Sequence, residues 1–379
     1  MLFMPMKLLL GLIMVVSKAA AAAAGTVATA ACPNYFANAT TVANRLQSEY
    51  FKLLTGQYTN GSLWTDANAV EDLHNIMLLS GSNTWSLLGD ESFIGRNALL
   101  PITSWPLIID GSNDDAQWII LALWKIADYQ TAHGKSATSF LNAATTIYNI
   151  VAGQWDTASC GGGVWWSTEH TYKNAITNEL FLLTSAQGYL RTKQQPYLDN
   201  ANKVWAWLST SGMRNAQGLW NDGLDFNTCQ NNGQTTWTYN QGVIASGLGA
   251  LYAVTGDKSL LDAAEVTLDA TISQLTQNGV LKESCDNASG STCDADQQIF
   301  KGIWTKHLQY YLGYANDPAR TAKYAPFLAA QAKAVLTNAL TAQNDVGSVW
   351  YAAGGDLYSP KSSTSGIQAL VAGAQFGAC

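Results

Sequence analysis

Two acidic residues, Asp114 and Asp115, stand side by side at the predicted start of an apolar helix, in the stretch GSNDDAQWIILALW. One acid at a helix start is an ordinary cap, because it accepts hydrogen bonds from free backbone N–H groups and is favoured by the helix dipole. Two adjacent carboxylates repel each other, and neighbouring carboxyls with separated pKa values are what glycoside hydrolysis uses. The pair by itself therefore leaves a cap and a catalytic pair equally open.

Other candidate residues lie in loops rich in Gly and Trp. The segment GGGVWW ends in Trp165 and Trp166, two flat apolar rings on which a sugar can pack its C–H face, although we expect one of the two to close the core. Further side chains offer hydrogen bonds to a polyol: Asn174, Asn178, Asp222, Tyr239, Asn240, Gln241 and Lys301. Each alone is better explained as a cap or a loop bond, and Asp222 equally by an Asx turn before Gly223, so a binding role depends on their convergence.

The composition favours a neutral, hydroxyl-rich ligand. Charged residues make up only 12% of the chain, whereas Trp numbers 14 and Tyr 16. The net charge of −7 and the lack of a Lys/Arg cluster in the sequence argue against a nucleic-acid partner, because binding to phosphates requires clustered basic side chains.

The sequence offers no support for metal or cofactor chemistry. Its four histidines lie far apart without metal-ligand spacing: His74, His133, His170 and His307. It has neither a Gly-x-Ser-x-Gly elbow nor a phosphate-binding glycine loop. Asp286, Asp294 and Asp296 lack the ordered spacing of a calcium loop, so we interpret that segment as a solvated loop and expect no metal and no cofactor.

The elements that position these residues are predicted to be almost entirely helical, because apolar residues recur at helical spacing and strand alternation is scarce. The predicted helices cover residues 43–54, 68–79, 114–133, 139–155, 174–192, 197–208, 240–254, 260–274, 297–314, 324–342 and 365–376.

A short polar cluster opens or precedes every second helix. The six clusters lie at residues 64–68, 113–115, 173–178, 237–241, 300–304 and 362–365, about 50 to 65 residues apart. This spacing predicts six helical hairpins. An open solenoid is the alternative, but six units favour a closed ring, an all-α (α/α)6 barrel in which one domain spans residues 32–379 and the clusters meet at one mouth. Gly247 and Gly249, in an inner helix, are predicted to permit close packing.

The N-terminal segment, residues 1–24, is predicted to be a secretory signal peptide, with Lys7 before a short apolar core that is well below the length of a membrane span. Six cysteines then predict disulfides, of which only Cys285 with Cys293 is suggested by proximity. Possible N-glycan acceptors are Asn38, Asn60 and Asn287. We expect a secreted monomer without a glycolipid-anchor tail.

Together these motifs resemble glycoside hydrolase family 76, the endo-α-1,6-mannanases, in its fungal secreted branch. The matching elements, in family order, are Asn113-Asp114-Asp115 with Trp118, Gly161–Trp166, Lys173–Glu179, Trp220–Gly223, Tyr239–Gly242 and Phe300-Lys301-Gly302. The resemblance implies an (α/α)6 barrel that hydrolyses α-1,6-linked mannose with retention of configuration. It assigns Asp114 as nucleophile and Asp115 as general acid/base.

The same resemblance implies a set of sugar contacts. Asp222 is expected at the cleavage subsite with Asn174, Tyr239, Asn240 and Lys301 nearby, and Asp66 and Asp72 are expected to line the cleft. Two alternatives stay open at this point. One is transglycosylation of α-mannose-containing glycans, such as glycosylphosphatidylinositol-linked or cell-wall mannoproteins, and the other is a wall protein that binds mannan without cleaving it.

Overall fold

A computed structural model of the protein describes residues 32–101 and 103–379, so the predicted signal peptide lies outside the described residues. The described part of the chain is built from helices, whose bounds in chain order are α1 (Pro33–Arg45), α2 (Leu63–Ser80), α3 (Leu88–Glu91), α4 (Phe93–Leu99), α5 (Trp105–Ile108), α6 (Asn113–Ala132), α7 (Thr138–Ala152), α8 (Ala175–Thr192), α9 (Gln195–Leu208), α10 (Thr238–Thr255), α11 (Ser259–Gln274), α12 (Phe300–Ala315), α13 (Pro318–Ala334) and α14 (Pro360–Phe376). Two short antiparallel hairpins accompany them, β1 (Phe51–Lys52) with β2 (Gln57–Tyr58) and β3 (Thr276–Gln277) with β4 (Val280–Leu281). Within these residues, no helix combines the length and the apolar character that crossing a bilayer requires.

Six helices form a closed inner ring. In order around the ring they are α2, α6, α8, α10, α12 and α14; each packs against the next, and α14 packs back against α2. The predicted (α/α)6 barrel is confirmed, because an open solenoid would leave its first and last helices apart. The polar clusters of the sequence fall at the starts of these six helices.

The outer layer is less regular than the sequence predicted. Helices α1, α7, α9, α11 and α13 each pack on inner helices, whereas the short helices α3, α4 and α5 lie beside α6 and α7. The sequence predicted no helix there, because Pro101, Pro106 and a scatter of glycines break the apolar period.

The first predicted helix, residues 43–54, is present, but both of its predicted bounds were wrong. The helix begins at Pro33, continues through a π turn at Leu46–Tyr50 and then passes directly into β1. Proline at the first helical position explains the earlier start, since it lacks the N–H that a helix start leaves unpaired. The pairing of Phe51 with Tyr58 explains the end.

Close packing of the inner helices depends on glycines in α10. A Cβ atom on Gly247 would lie 3.1 Å from the Leu182 side chain of α8, and one on Gly249 3.3 Å from the Tyr311 side chain of α12. The predicted packing role of both glycines is confirmed. Gly242 is tighter still, because its Cβ would lie 2.7 Å from the Trp304 Cα atom.

Three disulfides join the described cysteines: Cys32–Cys379, Cys160–Cys229 and Cys285–Cys293. The last confirms the pairing suggested by the sequence. The second joins the loop before α8 to the loop before α10, two segments that carry candidate site residues. The first joins the segments that flank the barrel.

We predict that Gly242→Ala destabilises the barrel. The added methyl group meets backbone rather than a movable side chain, so overpacking should lower the free energy of unfolding by about 1–3 kcal/mol. The matched control is Gly313→Ala in α12, an exposed glycine with no atom within 4 Å of the added Cβ, which should be neutral or stabilising by up to about 1 kcal/mol. Denaturant unfolding measures both; equal stability of the two variants would contradict the close approach of α10 and α12.

Candidate active site

An aromatic cluster joins the starts of four inner helices at one end of the barrel. Tyr239 of α10 stacks on Phe300 of α12, with ring centroids 4.0 Å apart and 9° between planes. Trp64 of α2 lies 6.3 Å from Phe300 and 6.0 Å from Trp118 of α6. The starts of these four helices, with their polar clusters, therefore share one mouth, as the sequence predicted.

The acid pair occupies the first turn of α6 at this mouth, and Asp114 accepts more hydrogen bonds than Asp115. The Ser112 hydroxyl donates to Asp114 Oδ1 at 2.8 Å. Burial raises the pKa of Asp114, and four hydrogen bonds oppose that shift. The donors are the Ser112 hydroxyl, the backbone N–H groups of Asp114 and Asp115, and the Trp166 side chain. Each of these bonds favours the ionised form of Asp114.

Asp115 lacks that set of donors. Burial, followed by the neighbouring charge of Asp114, raises the pKa of Asp115 to about 8, with a smaller contribution from Asp296 and only the Ser112 hydroxyl opposing. Asp115 is therefore protonated at neutral pH while its neighbour is the one equipped to hold a negative charge. The pair can supply one nucleophile or base and one acid.

The loop between α7 and α8, residues 156–172, is hydrogen-bonded to the start of α6 and is called the tryptophan loop below. The Asn113 N–H donates to the Trp166 carbonyl and its side chain donates to the Trp165 carbonyl, both at 2.9 Å. The Thr168 N–H donates to the Gly111 carbonyl at 3.0 Å, and Gly111 has φ +77° with no room for a Cβ beside Thr168. The loop therefore moves with the acid pair.

The two tryptophans of this loop differ in environment. Trp165 is 5% exposed and lies between His170, stacked at 5.3 Å, and the Lys173 ammonium group, 4.5 Å from its ring centroid. Trp166 is 42% exposed at the mouth, where its side chain hydrogen-bonds Asp114. Trp165 is therefore buried, as expected for the one tryptophan that closes the core, whereas Trp166 exposes a ring face at the mouth.

Lys173 and Asn178 hold the tryptophan loop together, a supporting role that the sequence did not predict for either residue. Buried Lys173 donates to the Asp156, Ser159 and Gly162 carbonyls and pairs with the Asp156 carboxylate at 3.0 Å. Asn178, considered as a sugar ligand, instead exchanges two hydrogen bonds with the Val164 backbone, at 2.7 and 3.1 Å. Lys173 and Asn178 could have been recognised as supports, since a loop with three glycines needs side-chain anchors.

Asp222 reaches the mouth from the loop before α10. Its carbonyl accepts from the Ala175 N–H at 2.7 Å, and the Tyr172 hydroxyl donates to its carboxylate at 2.5 Å. Burial raises the pKa of Asp222 and the Tyr172 bond opposes this. The disulfide Cys160–Cys229 ties this loop to the tryptophan loop, so Asp222 and Trp166 belong to one linked wall.

The polar candidates at the starts of α8 and α10 lie in three different environments. Asn174 is the N-cap of α8, accepting from the Thr177 N–H at 3.4 Å. Tyr239 is partly exposed, and burial together with the charges of Asp222 and Asp114 raises its pKa well above the ordinary value. Asn240 is completely buried, and neither polar atom of its side chain has a hydrogen-bond partner among the described residues.

Lys301, predicted to contact a sugar, lies instead in a buried ion pair. Its Nζ is 2.7 Å from Asp286 Oδ2, and both side chains have no exposed surface. The predicted solvated loop is therefore correct for the exposed Asp294 and Asp296 but not for Asp286, which the sequence could not show to be opposite a lysine. Lys301 supports the start of α12 and its ammonium group is not open to the mouth.

Asp72 and Asp66, predicted to line the cleft, are buried as well. Asp72 lies 3.2 Å from the Lys306 Nζ and accepts from the Gln368 side chain at 2.7 Å, two turns below the start of α2. Asp66 lies in the first turn, accepts from the Tyr58 N–H at 3.1 Å, and has a pKa raised by burial to about 7. Of the two, only Asp66 lies at the level of the mouth.

A family model for glycosyl hydrolase family 76 matches residues 20–375. The chain belongs to glycosyl hydrolase family 76. This family membership agrees with the paired aspartates, the tryptophan loop and the barrel described above.

Curated relatives share 24% to 29% of their residues with this chain over the matched part. Mannan endo-1,6-alpha-mannosidase DCW1 of Candida albicans is 29% identical over 215 residues, covering 52% of this chain and 46% of the relative. Mannan endo-1,6-alpha-mannosidase DFG5 of Saccharomyces cerevisiae is 27% identical over 216 residues, covering 55% and 47%. The chain spans about half the length of the curated relatives it matches.

Solved structures of the family share the fold at low identity. An inactive variant of the α-1,6-mannanase GH76A of Salegentibacter sp. HEL1_6, with two consecutive aspartates replaced by alanine and α-1,6-mannotetrose bound, superposes with a TM-score of 0.77 at 19% identity, covering 90% of this chain and 98% of that one. Dfg5 from Chaetomium thermophilum, in complex with glucosamine, gives 0.75 at 18% identity, covering 90% of each chain.

We predict that Lys173→Met loosens the tryptophan loop. Three carbonyls and the Asp156 carboxylate lose a buried cation, which should lower the free energy of unfolding by about 2–4 kcal/mol. Proteolysis should also begin within residues 156–172 before the barrel opens. Lys203→Met is the control, because Lys203 only covers the Trp155 ring from outside, 4.4 Å from its centroid. Equal protease resistance of the two variants would contradict an anchoring role.

Proposed function

We propose that this protein is a retaining, endo-acting glycoside hydrolase that cleaves α-1,6-mannosidic linkages of mannan or of mannoprotein glycans. The observation that carries the proposal is the unequal treatment of two consecutive carboxyls, four hydrogen bonds on Asp114 and a pKa of about 8 for Asp115. Retaining hydrolysis requires this division between an ionised nucleophile and a protonated acid.

The proposed reaction has two steps. Asp115 donates its proton to the glycosidic oxygen while the Asp114 carboxylate attacks the anomeric carbon, so the glycosidic bond breaks and a glycosyl ester forms. Asp115, now ionised, takes a proton from a water molecule that attacks the same carbon and releases Asp114. The hydrogen bonds from Ser112 and Trp166 to Asp114 stabilise the carboxylate as it leaves.

The surrounding wall supplies the binding groups in this proposal. Trp166 offers an exposed ring beside the nucleophile, and Asp222 and Tyr239 face the same space as acceptor and donor for sugar hydroxyls. Asp66 borders the mouth from α2. Asn174 and Asn240 form the floor of the mouth. Trp165, Lys301 and Asp72 are buried and support its wall.

The family relatives indicate the substrate class. The curated relatives are named mannan endo-1,6-alpha-mannosidases, and the Salegentibacter variant that lacks two consecutive aspartates is inactive and binds α-1,6-mannotetrose. An acid pair in the same order in this chain supports the same bond as its target. We further propose that the protein acts outside the cell on wall glycans, as a monomer.

The first test replaces each acid. Asp114→Asn and Asp115→Asn should each lower kcat/KM on linear α-1,6-mannooligosaccharides by at least about a thousandfold, because one loses the nucleophile and the other the proton donor. Chain length and anomeric configuration of the first product are followed by chromatography and proton NMR. Asp110→Asn is the control, an exposed acid just before the pair with φ 45°, a conformation that Asn also adopts.

Chemical rescue separates the two roles. With an aryl α-mannoside whose leaving group needs no proton, Asp115→Ala should regain turnover when azide is added and should give the α-mannosyl azide, whereas Asp114→Ala should not form that product. Full activity of either single variant on mannan contradicts the proposal. A product that always carries an acceptor sugar in place of water would instead identify a transglycosylase.

The pH profile provides an independent prediction. Because the acid must carry its proton, kcat/KM should fall as pH rises through the pKa of Asp115, about 8. It should fall at acid pH as Asp114 takes up a proton. Asp296, whose charge raises the pKa of Asp115, pairs with Lys361 at 3.0 Å, so Asp296→Asn removes an anion and leaves a cation unpaired.

Both effects of Asp296→Asn lower the pKa of Asp115, so the alkaline limb should move to lower pH. Asp199→Asn on the outer helix α9 changes the total charge equally and should leave the limb in place. An alkaline limb that stays fixed in Asp296→Asn, or that moves equally in both variants, contradicts the assignment of Asp115 as the acid.

A further inference from the structure

The first turn of α10 is capped by a residue from a distant part of the chain. The N-cap residue of the helix, Trp237, makes no side-chain cap, because an indole carries a hydrogen-bond donor and no acceptor. Glu283, two residues after β4, provides the acceptors instead. Its two carboxyl oxygens lie 3.3 and 3.4 Å from the Thr238 nitrogen and accept its N–H, and one of them also accepts from the Thr238 hydroxyl. Glu283 is buried and therefore supplies what the helix start leaves unpaired.

The same segment also holds the start of α12. The Glu283 N–H donates to Asp286 Oδ2 at 2.8 Å, and this oxygen lies 2.7 Å from the Lys301 Nζ. The disulfide between Cys285 and Cys293 closes the chain around Asp286 into a small loop. Two buried acids, three residues apart, therefore hold the first turns of two neighbouring inner helices.

The residues next to these two anchor points stack on each other. Tyr239 directly follows Thr238, and Phe300 directly precedes Lys301. The rings of Tyr239 and Phe300 are the parallel pair described above, with centroids 4.0 Å apart. The contacts therefore form a closed circuit that runs from the two acids through both helix starts to the stacked rings. A displacement of Glu283 would move the first turn of α10 and, with it, the Tyr239 hydroxyl.

The contact between Glu283 and Thr238 requires an acceptor rather than a charge. Burial raises the pKa of Glu283 to about 7, against the Lys301 charge and the Thr238 hydrogen bonds, and the Asp286 charge raises it further. An un-ionised carboxyl group still carries a carbonyl oxygen that accepts a hydrogen bond. Glutamine offers such an oxygen as well, whereas leucine has a similar volume and offers none.

We propose that Glu283 is a positioning residue whose carboxyl oxygens fix the first turn of α10, so that the Tyr239 hydroxyl is held where a hydroxyl group of the mannan chain binds. The inference rests on the proposed function, since that function assigns Tyr239 to the sugar. Because Glu283 is buried behind Thr238, it acts on the sugar only through Tyr239. No bond to Glu283 is made or broken in the reaction.

A double-mutant cycle tests whether Glu283 acts through Tyr239. Glu283→Leu should raise KM for α-1,6-mannotetraose about tenfold and change kcat by less than about threefold, because a sugar contact weakens while the acid pair is untouched. In the Tyr239→Phe background, which keeps the ring stack and lacks the hydroxyl, Glu283→Leu should raise KM by less than about threefold. The same rise in KM in both backgrounds would overturn the proposal.

Two further variants distinguish this role from a general loss of stability. Glu283→Gln keeps an acceptor and should stay within about threefold of the unaltered KM. Glu265→Leu is the matched control on the outer helix α11, where the Glu265 carboxylate accepts from the Tyr311 hydroxyl at 3.0 Å and pairs with Arg320 at 2.6 Å. It should lower the free energy of unfolding and leave KM unchanged. A KM in either variant as high as in Glu283→Leu contradicts the positioning role.

Thr238→Val tests the same contact from the other side and serves if Glu283→Leu does not fold. It removes the hydroxyl donor and keeps the backbone N–H, so KM should rise about two- to fivefold, and this rise should disappear in the Tyr239→Phe background. A KM that stays at the unaltered value in Thr238→Val overturns the proposal.

Hydrogen exchange followed by mass spectrometry tests the cap without turnover. Peptides that cover residues 236–243 should exchange faster in Glu283→Leu or Thr238→Val than in the unaltered protein, whereas peptides from α8 should not change. Unchanged exchange at the start of α10 overturns the proposal. If the unaltered protein leaves mannotetraose uncut, the proposed function fails; if it cleaves mannotetraose and the cycle is additive, only this inference fails.

Discussion

Two carboxyl groups on consecutive residues can share the first turn of a buried helix only if their surroundings treat them differently. Here the difference is made by hydrogen-bond donors: the helix N-terminus, Ser112 and Trp166 serve Asp114, whereas Asp115 is left beside two negative charges. The surrounding loop keeps these hydrogen-bond donors next to Asp114. The tryptophan loop is fastened to Asn113 so that Trp166 stays in reach of Asp114, and Lys173 fastens the loop in turn.

The barrel could be predicted from the sequence because its signal is repeated six times. Apolar periodicity located the inner helices, and the polar clusters marked their shared end. The irregular outer segment around α3, α4 and α5 could not be predicted, because short helices held by tertiary contacts leave little periodic pattern. Likewise the hairpin at Phe51 overrode an apolar period that extended the first predicted helix.

Within the site, the sequence predicted which residues lie near the helix starts but not where their side chains point. The sequence located Asp72 and Lys301 near the starts of inner helices, but a side chain there can point to the mouth, the axis or a neighbouring helix. Both form buried ion pairs, with Lys306 and Asp286. Such pairs are strongly unfavourable to break once buried, so charged residues on an inner helix are as well explained by mutual pairing as by a ligand. Ser112 was missed for a related reason, since its importance depends on the Asp114 carboxylate to which it donates.

The disulfide between Cys32 and Cys379 joins the two flanks of a ring that is already closed by packing of α14 on α2. Between these cysteines the backbone is a covalent circle. A protease that cuts one exposed loop therefore opens the circle without releasing a piece, and all six hairpins remain on one molecule. A single cut in an exposed loop and loss of the folded barrel are therefore separate events, and a second cut is needed before any part of the barrel can diffuse away.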